Sequence, residues 1–505
     1  MTVIASILLA LAAPGGPCSG CHPGQAAAFL ATGMGRSLGR PDAAEYPPRS
    51  FSHRDSTRLS VRRRGAELLH GVERGGRRVE LPVSYFVGSG KQGRSYLVEL
   101  DGYLFQSPVS YYAGGGGWRL SPGYQHDVVV DFSRPVTPEC LFCHSGQADP
   151  VSGTQNRYGS PPFVSEAIGC ARCHGDPAAH LASPARGNIV NPVRLDAARR
   201  DSVCEQCHLS GEARIPNPDK TIFDFRPGQA LESTFSVYVA GAGSPKVVSH
   251  AEQLATSRCA IGSGDKMWCG ACHDPHQRPA NAVSWYRDRC LGCHAQTLPA
   301  GHSEPSAGCT GCHMPARGPS DVPHTAFTDH RILARPEPDS SLGQQERLRP
   351  WRQPAAGVRV RNLGLAYVSA GESKQSAFQL NEGFRLLATL PREMSNDADV
   401  QTGIGLVLLR KQRPGEAVQA LERAVRLRPR DAVRRLNLAA ALAASGKIEA
   451  AIDEAETAIL RDPALEEAWA LLERIYADAG ESDKARQVRE RWRRESPLGK
   501  LEARR

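Results

Sequence analysis

The pattern of apolar and polar positions changes character four times along the chain. Val3–Ala13 is an unbroken apolar run of eleven residues, well short of the roughly 20 needed to span a bilayer. With small residues at Ala10 and Ala12 ahead of Pro14, residues 1–13 read as a signal-like export segment, although no Lys or Arg precedes the run. No transmembrane anchor is expected in the mature chain. Residues 79–132 are β-branched and aromatic in VELPVSYFVGSG, RSYLVELDGYLFQSPVSYY and HDVVVDF, with breaks such as Gly114–Gly117, which predicts a small β-rich insert. Residues 136–335 show little periodicity and predict short helices and irregular segments punctuated by Cys, His, Gly and Pro. After Ala356 the pattern becomes Ala, Leu, Arg and Glu at helical period.

That last region repeats. Gly405, Ala439 and Glu473 are spaced by 34 residues, as are Ala417, Ala451 and Ala485, then Ala424 and Ala458, and Pro429, Pro463 and Pro497. Gly446 and Gly480 mark the turn between paired helices. An earlier copy carries Gly364, Tyr367 and Gly371 at an offset of 41, which an insertion of seven residues near TLPREMSN explains. Small residues let two helices pack closely, and the Pro ends the second one. Residues 357–497 therefore resemble tetratricopeptide repeats in four copies. The first copy departs from the pattern, with Gly383 at an Ala position and no closing Pro.

Composition sharpens the contrast between the two halves. Only 40 % of the 505 residues are hydrophobic and 6 % aromatic, below the roughly 45–50 % apolar usual for globular chains. Something besides side chains is expected to fill part of the core. All 15 cysteines and all 16 histidines lie within residues 14–335. Residues 336–356 are rich in Pro, Arg, Ser and Gln and read as a linker.

Seven segments read C-x-x-C-H: Cys18, Cys21 and His22; Cys140, Cys143 and His144; Cys170, Cys173 and His174; Cys204, Cys207 and His208; Cys269, Cys272 and His273; Cys290, Cys293 and His294; Cys309, Cys312 and His313. Two thiols on one helical turn can form thioethers with the two vinyl groups of one haem, and the next residue offers its imidazole to iron. This is the attachment signal for c-type haem. Zinc ribbons also pair C-x-x-C units but do not require His after each, and a redox dithiol would be single. Seven of seven units followed by His point to seven covalent haem c groups. Intervals of 19 to 34 residues between most motifs leave no room for separate haem domains, so neighbouring sites must pack together.

Haem also reinterprets the charge. The formal net charge is +9, from 62 Lys and Arg against 53 Asp and Glu. Seven haems would bring roughly fourteen propionates, so the excess reads as compensation and no nucleic-acid partner is expected. The remaining histidines supply candidate second axial ligands: His53, His180, His250, His276, His302, His324 and His330. His70 and His126 read as ordinary histidines; Met34 reads as a packing residue, with a thioether ligand of the first haem as the alternative, and Cys259 as a leftover thiol, inert or else a late ligand or modification site.

The segments FLATGMGRSL, LPVSYFVGSG, SRCAIGSGDKMWCGACHDPH, CTGCHMP and FTDHRI resemble exported multihaem c-type cytochromes, the class typified by the tetrahaem cytochrome of ammonia-oxidising bacteria. The resemblance implies closely stacked haems with mostly bis-His ligation. Some members of that class carry C-terminal tetratricopeptide repeats. The superfamily also holds nitrite reductases and hydroxylamine oxidoreductases, but no C-x-x-C-K motif occurs here.

The expected fold is mainly α with much irregular structure. A cytochrome domain at 14–335, with its β-rich insert, is followed by the 336–356 linker, a repeat solenoid at 357–497 and a basic tail at 498–505. The expected function is electron relay by an exported protein, periplasmic or at the cell surface. Other redox proteins are its donor and acceptor, and the repeat groove is a site for a protein or peptide. The alternatives are an oxidoreductase acting on a small nitrogen or sulfur compound at one open haem, and a scaffold in which the haems are structural. Arg486, Arg489, Arg491, Arg493 and Arg494 on the last helix read as a solvated capping face, or as contacts for an acidic partner.

Overall fold

The computed structural model describes residues 16–53, 57–125, 127, 129–241, 246–294, 302, 308–319, 325–334 and 347–503. The signal-like segment lies outside them. The N-terminal region is mixed α/β and the C-terminal region is an all-helical solenoid.

Strands begin earlier than the apolar pattern suggests. Arg49–Ser52, Arg58–Arg64, Glu67–Arg74 and Arg77–Pro82 form an antiparallel four-stranded meander. A second sheet is built from Leu38–Gly39, Tyr85–Val87, Gly93–Leu100, Tyr103–Gln106, Val109–Tyr112 and Gly117–Leu120. Two hairpins turn through residue pairs with positive φ: Gly75-Gly76 joins Arg74 to Arg77, and Asp101-Gly102 joins Leu100 to Tyr103. Such pairs match the right-handed twist of the flanking strands. In Arg58–Arg64, Leu59 and Val61 are buried while Arg58 and Arg62 to Arg64 are exposed. The alternation is present, but the density of arginine masks it. The described residues of 121–132 form no strand; Tyr124, Val130 and Phe132 nevertheless enter the core.

The expected linker is partly structural. Arg349–Pro350 adds a third strand to Ala213–Pro216 and Phe235–Val239. Beside it, the Leu348 N–H donates to the Tyr367 hydroxyl at 3.0 Å and Trp351 Nε1 donates to Glu205 Oε1 at 3.0 Å.

Four helix pairs follow: Arg359–Lys374 with Ala377–Ala388, Ala398–Arg410 with Pro414–Leu427, Ala432–Ala444 with Ile448–Arg461, and Glu466–Asp478 with Ser482–Glu495. Close approach explains the small residues. A Cβ on Gly405 would lie 2.5 Å from Leu421 Cγ, and one on Gly364 would lie 2.6 Å from Leu387 Cδ2. Ala417, Ala424, Ala439, Ala451 and Ala458 are fully buried. Gly446 and Gly480 have positive φ at the turns, and Gln375 and Gln412 take that conformation in the earlier pairs. The extra length in the first copy is shared. Its first helix has 16 residues where its counterparts have 13, and a short helix, Arg392–Ser395, sits in the connection.

The solenoid does not hang free. Arg361 is buried and donates to Asp397 Oδ2 at 2.9 Å, Asp399 Oδ2 at 3.0 Å and the Pro216 carbonyl at 2.8 Å. Farther along, the Ala432 N–H donates to the Gly153 carbonyl at 3.0 Å, and Asp462 Oδ2 accepts from the Gln155 N–H at 2.8 Å. The expected basic tail is a helix, Pro497–Ala503. Its Leu498 joins Ala464 in the core of the β region, and Lys500 pairs with Asp101 at 2.7 Å.

At this junction Glu466 accepts hydrogen bonds from Trp492 Nε1 at 2.9 Å and Ser496 Oγ at 2.8 Å. Burial outweighs these bonds and pushes its carboxyl up to about 7, from 4.5. The folded state therefore holds a proton that the unfolded chain releases, so stability falls as pH rises from about 4.5 to 7. The contribution is at most about 3 kcal/mol. Glu466→Gln is expected to raise the melting temperature at pH 8 and leave it nearly unchanged at pH 4.5. An equal shift at both values would contradict this assignment.

Candidate functional site

All seven C-x-x-C-H motifs sit on single helical turns. Four occupy the last turn of a helix that ends on the His: Pro138–His144, Ala197–His208, Ala282–His294 and Gly308–His313. In the other three, the His N–H donates to the carbonyl of the first Cys: His22 to Cys18 at 2.8 Å, His174 to Cys170 at 2.9 Å and His273 to Cys269 at 2.9 Å. Both thiols and the imidazole thus leave one turn together. All fifteen cysteines are free.

Most of the candidate distal histidines face a motif imidazole, often not that of the nearest motif. His180 faces His22 with ring centroids 6.4 Å apart and planes within 17°. His276 faces His174 at 5.9 Å and 21°, although it lies three residues after His273. His330 faces His273 at 6.2 Å and 25°. His302 and His313 stand 6.1 Å apart, and His250 and His208 stand 5.3 Å apart, both nearly perpendicular. Two imidazoles sharing one metal, with bonds of about 2.0–2.1 Å each, would have ring centres roughly 6.4 Å apart. The residues present fit that demand at four pairs closely and at the fifth within about an ångström.

The ring orientations are fixed from behind. Nδ1 of His174 contacts the Val190 carbonyl at 2.8 Å, that of His313 the Leu333 carbonyl at 2.7 Å, that of His330 the Thr328 carbonyl at 2.7 Å and that of His180 the Ala185 carbonyl at 3.1 Å. A carbonyl can only accept, so Nδ1 carries the proton and Nε2 keeps its lone pair, the state a metal requires. Tyr286 Oη lies 3.2 Å from His273 Nδ1. Burial holds His250 down to about 3 and His273 to about 4, so both imidazoles are neutral at physiological pH.

The remaining candidates separate. His53 follows the strand Arg49–Ser52, and among the described residues no ring contact joins it to a motif imidazole. His324 and His126 lie outside the described residues. His144 has no imidazole in ring contact among the described residues. His70 is enclosed by Tyr96 and Trp118 in the β core, with Nδ1 2.7 Å from Ser107 Oγ. His180, not Met34, faces His22. The Cys259 sulfur lies 3.9 Å from His294 Nε2.

The motifs form one connected series whose order differs from the sequence. The Cys18 sulfur lies beside Cys170, Cys143 beside Cys207, Cys204 beside Cys269, and Cys290 beside Cys309. Cys272 neighbours Cys259 and Cys293. The first motif therefore joins the third, which reaches the fifth through His276. The second joins the fourth, and the fourth to seventh follow one another. His250 and His330, each facing a different motif, touch edge to face at 4.8 Å.

Comparison with known proteins speaks to the solenoid. The tetratricopeptide repeat family profile matches residues 408–475, and the C-terminal region consists of such repeats. The TPR repeat-containing thioredoxin TTL4 of Arabidopsis thaliana is 39 % identical over 94 residues, 19 % of this chain and 14 % of that protein. The chain thus spans about one-seventh of the curated relative's length. Among solved structures, MamA is 23 % identical with a TM-score of 0.23, covering 25 % of this chain and 74 % of its own. YrrB, described as a TPR protein with an unusual peptide-binding site, is 22 % identical with a TM-score of 0.24, covering 30 % and 74 %. Among the described residues no helix is long and apolar enough to cross a membrane.

Proposed function

We propose that this chain is an exported c-type multihaem cytochrome that relays electrons through seven covalently bound haems. The observation that carries the reading is the set of five imidazole pairs, each spanning the width of one metal and each tied to a different C-x-x-C-H turn. The two thiols of each motif would anchor the group and the motif His would be its proximal ligand. His180, His276, His250, His330 and His302 would be the distal ligands opposite His22, His174, His208, His273 and His313. When bound, haem supplies a one-electron couple at each site. The chain's own part is to hold the Nε2 lone pairs of His174, His180, His313 and His330 in place through the carbonyl contacts at Nδ1. It also keeps consecutive motifs within van der Waals reach and keeps His250 and His273 unprotonated.

The repeats favour a protein or peptide partner, since stacked helix pairs offer an extended surface. The acidic-partner role for the last helix is less supported. Arg491 pairs with Glu456 at 2.8 Å, Arg489 with Glu473 at 2.5 Å and Arg493 with Glu502 at 3.7 Å, while Arg486 pairs with Asp483.

The test is a count of haem on digested peptides after acid extraction of loosely held groups. The proposal expects all seven C-x-x-C-H peptides to carry the mass of one haem each. Peptides with free thiols, or zinc in place of iron in the intact protein, would contradict it.

A further inference from the structure

Successive residues of an α-helix turn by about 100°, so the second variable residue of a C-x-x-C-H turn projects roughly 160° away from the first cysteine. It leaves from the back of the turn, and attachment of a haem places no demand on it. In the helices Pro138–His144, Ala171–His174 and Ala197–His208 that residue is Phe142, Arg172 and Gln206. The fold brings all three together.

The Arg172 guanidinium stacks over the Phe142 ring at 4.4 Å, and its Nη2 donates to the Phe142 carbonyl at 2.8 Å. Gln206 Nε2 donates to the Arg172 carbonyl at 3.0 Å. A further tie comes from Arg214, whose Nη1 donates to the Gln206 carbonyl at 3.2 Å and lies 3.4 Å from Cys143 Sγ. Phe142 and Gln206 are buried, and Phe223 and Phe235 hold the Phe142 ring edge to face. A planar guanidinium that stacks and donates at once fixes orientation as well as distance. The sulfurs agree with this grouping: Cys143 neighbours Cys207, and Cys204 neighbours Cys173. Cys170 also lies beside Cys18, so the third motif meets the first, the second and the fourth.

We propose that Arg172 is a positioning residue that locks the second, third and fourth haem sites into one junction, where the electron path branches. The inference rests on the haem reading above. An electron would leave ferrous iron at one site and reduce ferric iron at the next, with no bond made or broken. Arg172 sets how closely the attached groups approach, acting from behind their attachment turns.

The experiment uses the oxidised full-length holoprotein, with haem counted on the same sample. Electron paramagnetic resonance separates haems broadened by a neighbouring ferric iron from haems that give resolved lines. In the parent the third haem is expected among the broadened signals. Arg172→Leu should keep every haem and move intensity equal to one haem in seven from broadened to resolved lines. Gln206→Met removes the donor to the Arg172 carbonyl without changing charge, and should act in the same direction. Arg172→Lys keeps a cation and a donor but loses the planar stack, and should fall between the parent and the Leu variant. A fully loaded Arg172→Leu protein with the parent's spectrum overturns the assignment. So does a set in which Arg172→Lys matches the parent and Gln206→Met changes nothing, which would mark an effect of charge alone. Should Arg172→Leu fail to load, the Gln206→Met spectrum decides. A parent without covalent haem overturns the reading beneath it, and the haem count separates the two failures.

Discussion

His276→Ala is expected to open the proposed haem site at His174 and leave the one at His273 unchanged, although His276 lies only three residues from His273 in sequence. The reason is geometric. The His276 ring faces His174 at 5.9 Å with planes nearly parallel, while His273 is faced by His330. In oxidised holoprotein the variant should trade one-seventh of its low-spin signal for a high-spin one, and added imidazole should restore it. The site is assigned with a second background. In a chain carrying Cys170→Ser and Cys173→Ser, which cannot load the third haem, His276→Ala should add no high-spin signal. A new high-spin signal in that background would mean that His276 serves another motif.

Arg361→Met is expected to loosen the junction between the first helix pair and the N-terminal region. The guanidinium is 1 % exposed and ties three groups together: Asp397 and Asp399 within the repeats, and the Pro216 carbonyl at the end of the strand Ala213–Pro216. Its neighbour Asn362 donates from Nδ2 to Asn217 Oδ1 at 2.9 Å and Ser236 Oγ at 3.1 Å. Asp399 keeps Arg434 as a partner and Asp397 keeps the Asp399 and Val400 N–H groups, so the cost is that of losing charge-assisted hydrogen bonds, about 1.5–3 kcal/mol. Urea unfolding followed by helical circular dichroism should show the midpoint falling and the helices melting ahead of the N-terminal region. A change below about 0.5 kcal/mol, the range of ordinary surface substitutions, would contradict a structural role for this contact.

The sequence made some of this architecture legible and hid the rest for physical reasons. Four helix pairs were readable because close packing demands small residues at Gly405, Ala417, Ala439 and Ala451, and that demand recurs every 34 residues. The motif turns were readable because their chemistry requires three residue types at fixed spacing. The strand Arg58–Arg64 was obscured because its exposed positions are arginines, which lower the apparent hydrophobicity around the buried Leu59 and Val61. Leu348 and Trp351 looked like linker because their partners, Tyr367 and Glu205, are distant in sequence. The same limit governs the distal ligands. Spacing along the chain marked His180 and His276 as candidates but left their partner motifs open, because a distal ligand would approach from the far side of the ring. A residue close behind the proximal His reaches a neighbouring motif more readily than its own.

The central claim is that paired side chains complete the iron coordination at successive C-x-x-C-H sites. Electron paramagnetic resonance of the oxidised, fully loaded holoprotein, taken before and after adding nitrite, hydroxylamine or a sulfur oxyanion, tests it most directly. The account predicts a spectrum dominated by low-spin ferric haem that these additions leave unchanged. A dominant high-spin signal that shifts with one of them would contradict it and make substrate conversion at an open haem the leading function.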